Sequence, residues 1–111
     1  MARPLKCRCV AERPQSDYFK PRGIPLNILE EVTLTLDEAE SLRLAHVEDL
    51  YQEEACARMK VSRQTFGNIL NSAHKKISGA IINGKALKIE GGVCDIGNYK
   101  KSKEKKRRKG Q

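Results

Sequence analysis

The strongest hydrophobic pattern in the chain begins directly after Ser62. Apolar residues then recur at intervals of three and four: Phe66, Ile69, Leu70, Ala73, Ile77, Ala80 and Ile81. This spacing is that of one face of an α-helix. Ser62 is a favourable N-cap, and Asn83-Gly84 is typical of a helix end. The pattern therefore predicts a long helix from Ser62 to about Asn83, with these apolar side chains in the core.

Two shorter helices are predicted upstream. Thr35 to Glu38 fits a capping box, in which the first and last residues cap each other's backbone. We expect a helix from there to near Val47. The apolar positions in and just after it that can face a core are Leu36, Ala39, Leu42, Val47 and Leu50. A second helix should run from Gln52 to Met59, burying Ala55, Cys56 and Met59, before a break at Lys60-Val61-Ser62.

The segments that flank these helices have a different composition. All four prolines lie within residues 1–26, so residues 1–34 should form an extended arm with short strands near 7–10 and 32–34. Residues 84–99 should form a short strand and a loop. Residues 100–111 are rich in Lys and Arg without apolar residues, which predicts a disordered basic tail. The fold class is thus mainly α, with short β-segments near the termini around a three-helix domain at 35–83.

Charge divides the chain into blocks of opposite sign. The net charge is +8, yet residues 27–57 contain nine acidic groups and only one base, whereas residues 58–88 contain seven basic groups and no acid. This arrangement predicts one surface that repels polyanions and another that attracts them. No apolar run is long enough to cross a membrane, and the N-terminus lacks a signal peptide, so we expect a cytoplasmic protein.

The segment from Gln52 to Leu70 fits a helix-turn-helix, with Ala55-Cys56 and Val61 supplying the small and apolar positions that a tight turn needs. The third helix presents a polar face without acids, on which Gly67 would let the backbone approach DNA. Side chains suited to base edges are Arg63, Gln64, Thr65, Asn68 and Asn71. Side chains suited to phosphates are Arg58, Lys60, Ser62 and Lys75.

Residues 34–77 resemble the helix-turn-helix in region four of sigma-70-type factors. Over residues 3–94 the chain also resembles a family of small prokaryotic proteins of unknown function that are predicted to bind DNA. The motifs that carry this second resemblance are FKPRGIP, SRQTFGNILNSA and NGKALKIEGG, which begin at Phe19, Ser62 and Asn83. The resemblance implies a fold like sigma region four, and it implies no particular DNA target.

These observations predict a protein that binds double-stranded DNA through the third helix and regulates transcription. Limited affinity from one recognition helix favours a homodimer. Three alternatives stay open at this point. The first is an RNA-binding module, although the surface has few aromatic residues for base stacking. The second is a protein adaptor that uses the acidic 27–57 segment, for example against RNA polymerase. The third is an enzyme or a metal sensor, which would need the cysteines to bind a ligand.

Candidates for other chemistry are few. Cys7, Cys9 and Cys94 could bind a metal if the termini pair as strands, but one residue between two cysteines is an awkward spacing for chelation. Cys56 occupies a position where a small buried residue is needed. His46 and His74 are isolated in the sequence and have no readable catalytic partner. We therefore expect no enzyme activity, no cofactor and no metal.

Overall fold

A computed structural model describes residues 8–92 and 94–95 of the chain. The helices are α1 (Leu36–Leu42), α2 (Gln52–Met59) and α3 (Arg63–Asn83). The strands are β1 (Arg8–Cys9), β2 (Tyr18–Phe19), β3 (Glu31–Leu34), β4 (Ala86–Ile89) and β5 (Cys94–Asp95). A 3₁₀ turn spans Leu26–Ile28. The prediction of a mainly α fold with short β-segments is confirmed, while the predicted basic tail lies outside the described residues.

Helix α1 begins with the predicted capping box. Thr35 Oγ1 accepts a hydrogen bond from the Glu38 N–H at 3.3 Å, and the Glu38 side chain accepts one from the Thr35 N–H at 2.9 Å. After Leu42 the helix widens into a π-helical turn, Arg43–Val47, closed by a 2.8 Å bond from the Glu48 N–H to the Arg43 carbonyl.

The π-helical turn corrects one core prediction. Val47 was expected in the core, but its surface is 76% exposed. A π-helical turn holds more residues than an α-helical one, so the spacing of three and four no longer keeps side chains on one face. Leu44 is fully buried instead.

A three-residue turn, Lys60–Ser62, joins α2 to α3. Lys60 takes the left-handed conformation with φ 59°, and the Val61 N–H bonds the Cys56 carbonyl at 3.1 Å. Ser62 caps α3, since its Oγ accepts a 3.0 Å hydrogen bond from the Thr65 N–H. The helix ends at Gly84, also left-handed. The boundaries predicted for α2 and α3 are confirmed.

Two apolar clusters make up most of the core, and α3 contributes to both. The first contains Leu44, Ala55, Cys56, Met59, Phe66 and Ile69. The second contains Leu34, Leu36, Ala73 and Ile89. The predicted burial of Ile81 is wrong, because Ile81 is 72% exposed and its neighbour Ile82 is 80% exposed. Ala80 is buried, and Ile81 lies about 100° further round the helix, away from the core.

The strands bring the segment before α1 against the segment after α3. In the three-stranded sheet, ordered β2-β4-β3, β3 runs parallel to β4 and β2 runs antiparallel to it. A separate parallel pair joins β1 to β5, with Arg8 opposite Cys94. The N-terminal segment is thus tied to the strand that follows α3, and Val10 within it is buried. Across the described residues, no helix is long and apolar enough to span a membrane.

Candidate nucleic-acid interface

The acidic segment 27–57 contains several buried carboxylates. Asp37, Glu38 and Glu40 on α1 are only 5%, 7% and 4% exposed. Asp37 pairs with Arg8 at 3.1 Å, and Glu40 pairs with Arg43 at 2.8 Å. Three of the nine acids on which the adaptor alternative rests are therefore used inside the fold, and the other six are exposed.

Glu38 links α1 directly to α3. Its carboxylate accepts hydrogen bonds from Lys76 Nζ at 2.8 Å and from Ser72 Oγ. Burial raises the pKa of Glu38, but the hydrogen bonds from Lys76, Ser72 and the Thr35 backbone, with the charge of Lys76, outweigh burial and hold the pKa below its ordinary value. The same carboxylate also completes the capping box of α1, so it fixes both helices.

The outer face of α3, opposite Phe66, Ile69 and Ala73, carries Gln64, Asn68, Asn71 and Lys75. These four residues follow one another at intervals of four, three and four, so they form one stripe on the helix. Each of them is exposed. Among the described residues, none of the four side chains has a hydrogen-bond or ion-pair partner. This stripe therefore holds the donors and acceptors that sequence reasoning assigned to base edges.

The residues that border this stripe differ in whether their side chains already have partners in the fold. Lys60 and Arg63 are exposed and form no ion pair within the described part of the chain. Arg58 is engaged by Glu54 at 3.2 Å. The Ser62 hydroxyl caps α3 and donates to Thr65 Oγ1 at 3.0 Å, and Thr65 is half-buried. Lys60 and Arg63 are accordingly more available for phosphates and bases than Arg58, Ser62 or Thr65.

Gly67 does not face the same way as the stripe. A Cβ at this position would lie 3.4 Å from Gln52 Nε2, at the start of α2. This is an ordinary van der Waals distance from the end of a flexible side chain, so the expectation that Gly67 lets a DNA backbone approach stays a prediction. Residue 67 lies about 100° round the helix from Asn68, which is exposed.

The cysteines do not form a metal centre within the described residues. Cys56 is buried and donates to the Glu53 carbonyl at 3.3 Å, and Cys9 is a free, half-buried thiol. The pairing of β1 with β5 places Cys94 opposite Arg8, next to Cys9 in the register, while Cys7 lies outside the described residues. No group of three or more potential ligands, His, Cys, Asp or Glu, occurs in the part of the chain that is described.

The two histidines are neighbours in space, which the sequence did not reveal. His46 Nε2 lies 2.8 Å from His74 Nε2, although the residues are 28 positions apart. His46 belongs to the π-helical turn and His74 to α3. Their proximity depends on how α1 packs against α3, and no local spacing signal could have shown it.

Comparisons with known proteins give the family of this chain. Residues 1–97 match the family model described as protein of unknown function DUF134. A UPF0251 protein from Prosthecochloris aestuarii is 60% identical over 91 residues, which cover 82% of this chain and 59% of that protein. One from Thermoanaerobacter sp. is 48% identical over 107 residues, covering 96% and 90% of the two chains. No solved structure matches significantly. The chain belongs to the DUF134 family, and both of these relatives carry the name UPF0251.

Proposed function

We propose that this protein binds double-stranded DNA sequence-specifically through the outer face of α3 and regulates transcription. The observation that carries the proposal is the stripe of exposed Gln64, Asn68 and Asn71, which have no partner among the described residues, on a segment that contains no acid. Polar side chains that find no partner in the fold are available to a ligand. Amides pair bidentately with the N6 and N7 atoms of adenine, which the major groove exposes.

Basic residues around the stripe supply the second part of the interaction. Lys60 precedes α3, Arg63 begins it and Lys75 continues the stripe, so cations border the amides at both ends. Phosphate contacts from such residues position a helix in the groove without specifying sequence. Arg63 can also read guanine. The contact between α2 and α3 then sets how far α3 can enter the groove, as in other helix-turn-helix proteins.

The proposal includes a homodimer that reads two half-sites. Exposed Ile81 and Ile82 lie at the far end of α3, about 20 Å from Asn68 at 1.5 Å rise per residue. If two copies meet at this end, their stripes lie up to about 40 Å apart. A tilt between the two copies could reduce this distance to the roughly 34 Å of one helical turn of DNA. Ile81 and Ile82 of one copy would then be covered by the same residues of the other copy.

The test is selection of bound duplexes from a random pool, followed by titration of the full chain on selected and scrambled duplexes. Asn68→Ala should weaken binding to the selected duplex by about 1–3 kcal/mol and relax preference at one or two base pairs. Asn27→Ala is the matched control, since it removes the same exposed amide from the 3₁₀ turn, outside the stripe and the Ile81–Ile82 contact, and should change nothing. The stoichiometry of the complex reports the dimer.

Two results would overturn the proposal. One is full sequence preference in both Asn68→Ala and Gln64→Ala, because the stripe would then not read bases. The other is equal affinity for selected and scrambled duplexes, which would leave only non-specific attraction. Stronger competition by single-stranded or duplex RNA than by DNA would favour the RNA-binding alternative.

A further inference from the structure

The contact between His46 and His74 has the geometry of a ligand pair. The two Nε2 atoms face each other at 2.8 Å, with ring centroids 5.0 Å apart and ring planes tilted by 38°. Both residues are exposed on the surface. A hydrogen bond between two neutral imidazoles needs one ring protonated on Nε2 and the other on Nδ1. The same positions serve a metal ion if both rings carry the proton on Nδ1.

The separation of the two nitrogens agrees with coordination distances. Zinc binds imidazole nitrogen at about 2.0–2.1 Å, and ligand angles between 90° and tetrahedral then place two such nitrogens roughly 2.9–3.4 Å apart. The observed 2.8 Å lies just below this range. A few tenths of an ångström separate the observed Nε2–Nε2 distance from the distances in a metal complex. Small rotations of these exposed side chains would make up the difference.

The π-helical turn is what brings His46 to this position. The turn replaces the regular end of α1 and is closed by the bond between the Glu48 N–H and the Arg43 carbonyl. Such turns recur at functional sites in proteins, since they redirect side chains locally. The nearest charge along this turn, Arg43, is neutralised by Glu40 and Glu48, so it does not oppose a cation.

We propose that His46 and His74 bind one divalent transition-metal ion through their Nε2 atoms, joining the π-helical turn to α3. Imidazole ligands select the class of Zn²⁺, Ni²⁺ and Cu²⁺. Mg²⁺ and Ca²⁺ prefer oxygen ligands and would not compete. Solvent fills the remaining coordination positions, because both rings are open to water. The ion would brace α3 against α1 next to Asn71 and Lys75, whether or not α3 binds DNA.

The test uses the full chain, freed of metal with a chelator, and titrations with Ni²⁺, Zn²⁺ and, as an ion control, Mg²⁺. The chain contains only two histidines, so the ring proton NMR signals report this pair alone. Paramagnetic Ni²⁺ should broaden both ring signals together, and Zn²⁺ should shift both with saturation at one equivalent. At a hundredfold excess over its Kd, Zn²⁺ should also raise Tm by at least roughly 5 °C.

Variants separate this pair from the thiols, which bind the same ions. His46→Gln and His74→Gln should each abolish the Ni²⁺ and Zn²⁺ responses, while circular dichroism should show the fold retained. Replacing Cys7, Cys9 and Cys94 together by Ser should leave both responses intact. The proposal is overturned if the histidine signals ignore both ions, or if binding survives both glutamine variants and disappears in the serine variant. No DNA is used, so this outcome is independent of the proposed function.

Discussion

Helix α1 and the outer face of α3 are both rich in polar residues, yet the fold uses them in opposite ways. On α1, Asp37, Glu38 and Glu40 are buried and paired with cations from β1, from α3 and from the π-helical turn. On α3, Gln64 and Asn68 are exposed and have no partner in the described part of the chain. The first set holds the fold together, and the second is free to meet something else.

The difference shows that a cluster of charges identifies neither a surface nor a site. A buried carboxylate is tolerated only where hydrogen bonds and a counter-charge compensate its lost hydration. Glu38 meets that condition through Thr35, Ser72 and Lys76. An exposed amide needs no such compensation, so its lack of partners costs nothing. The polar residues that remain available are therefore those the fold has left unpaired.

Substitution on the apolar face of α3 should have a larger effect on stability than substitution in either polar region. Phe66→Ala should reduce the free energy of unfolding by about 3–5 kcal/mol, because the ring is fully buried in the first apolar cluster and its loss leaves a cavity. Urea denaturation of the variant and the wild type measures the change. A loss below 1 kcal/mol would contradict the assigned burial of this face.

The contrast between the two polar regions is tested by a pair of alanine variants. Glu38→Ala should cost about 2–3 kcal/mol of stability, since it removes a cap and the charged hydrogen bonds to Lys76 and Ser72. Gln64→Ala, on the outer face of α3, should stay within about 0.5 kcal/mol of wild type. The comparison fails if the two variants denature at the same urea concentration.

The acid limb of the stability profile gives the smallest effect. The pKa of folded Glu38 lies below the ordinary 4.5, so the unfolded chain takes up its proton first as the pH falls. The stability that Glu38 supplies should be complete above about pH 5.5 and be lost as the pH drops through 4.5 and below. At neutral pH, Glu38→Gln should reduce the free energy of unfolding by about 1 kcal/mol or more. The variant should therefore unfold at a lower temperature than the wild type.

At acidic pH the Tm values of the wild type and Glu38→Gln should converge, because the Glu38 side chain of the wild type becomes neutral as well. Thermal melts at several pH values between 3 and 7 measure this difference. The other buried carboxylates, Asp37 and Glu40, are unchanged in the variant and serve as the common background. A gap in Tm that stays constant across this range would show that the charge of Glu38 does not contribute to stability.

Local signals in the sequence determined most of the secondary structure. The capping box at Thr35 to Glu38, the turn at Lys60–Ser62 and the stop at Gly84 each act within a few residues, so their outcome is visible in a short window. The core positions Phe66, Ile69 and Ala73 followed from helical spacing for the same reason. The exposed stripe on α3 was also predicted, because it lies opposite that core.

Only the tertiary structure decided what depends on distant partners. The acids on α1 are buried, and Val47 and Ile81 are exposed, because of the π-helical turn and of which elements lie alongside. The meeting of His46 with His74 has the same origin. Side-chain pairing across tens of residues depends on how α1 docks on α3, and a linear pattern contains periodicity but no information on the distance between elements. The sequence alone determined the elements, and their packing decided which polar residues stayed free.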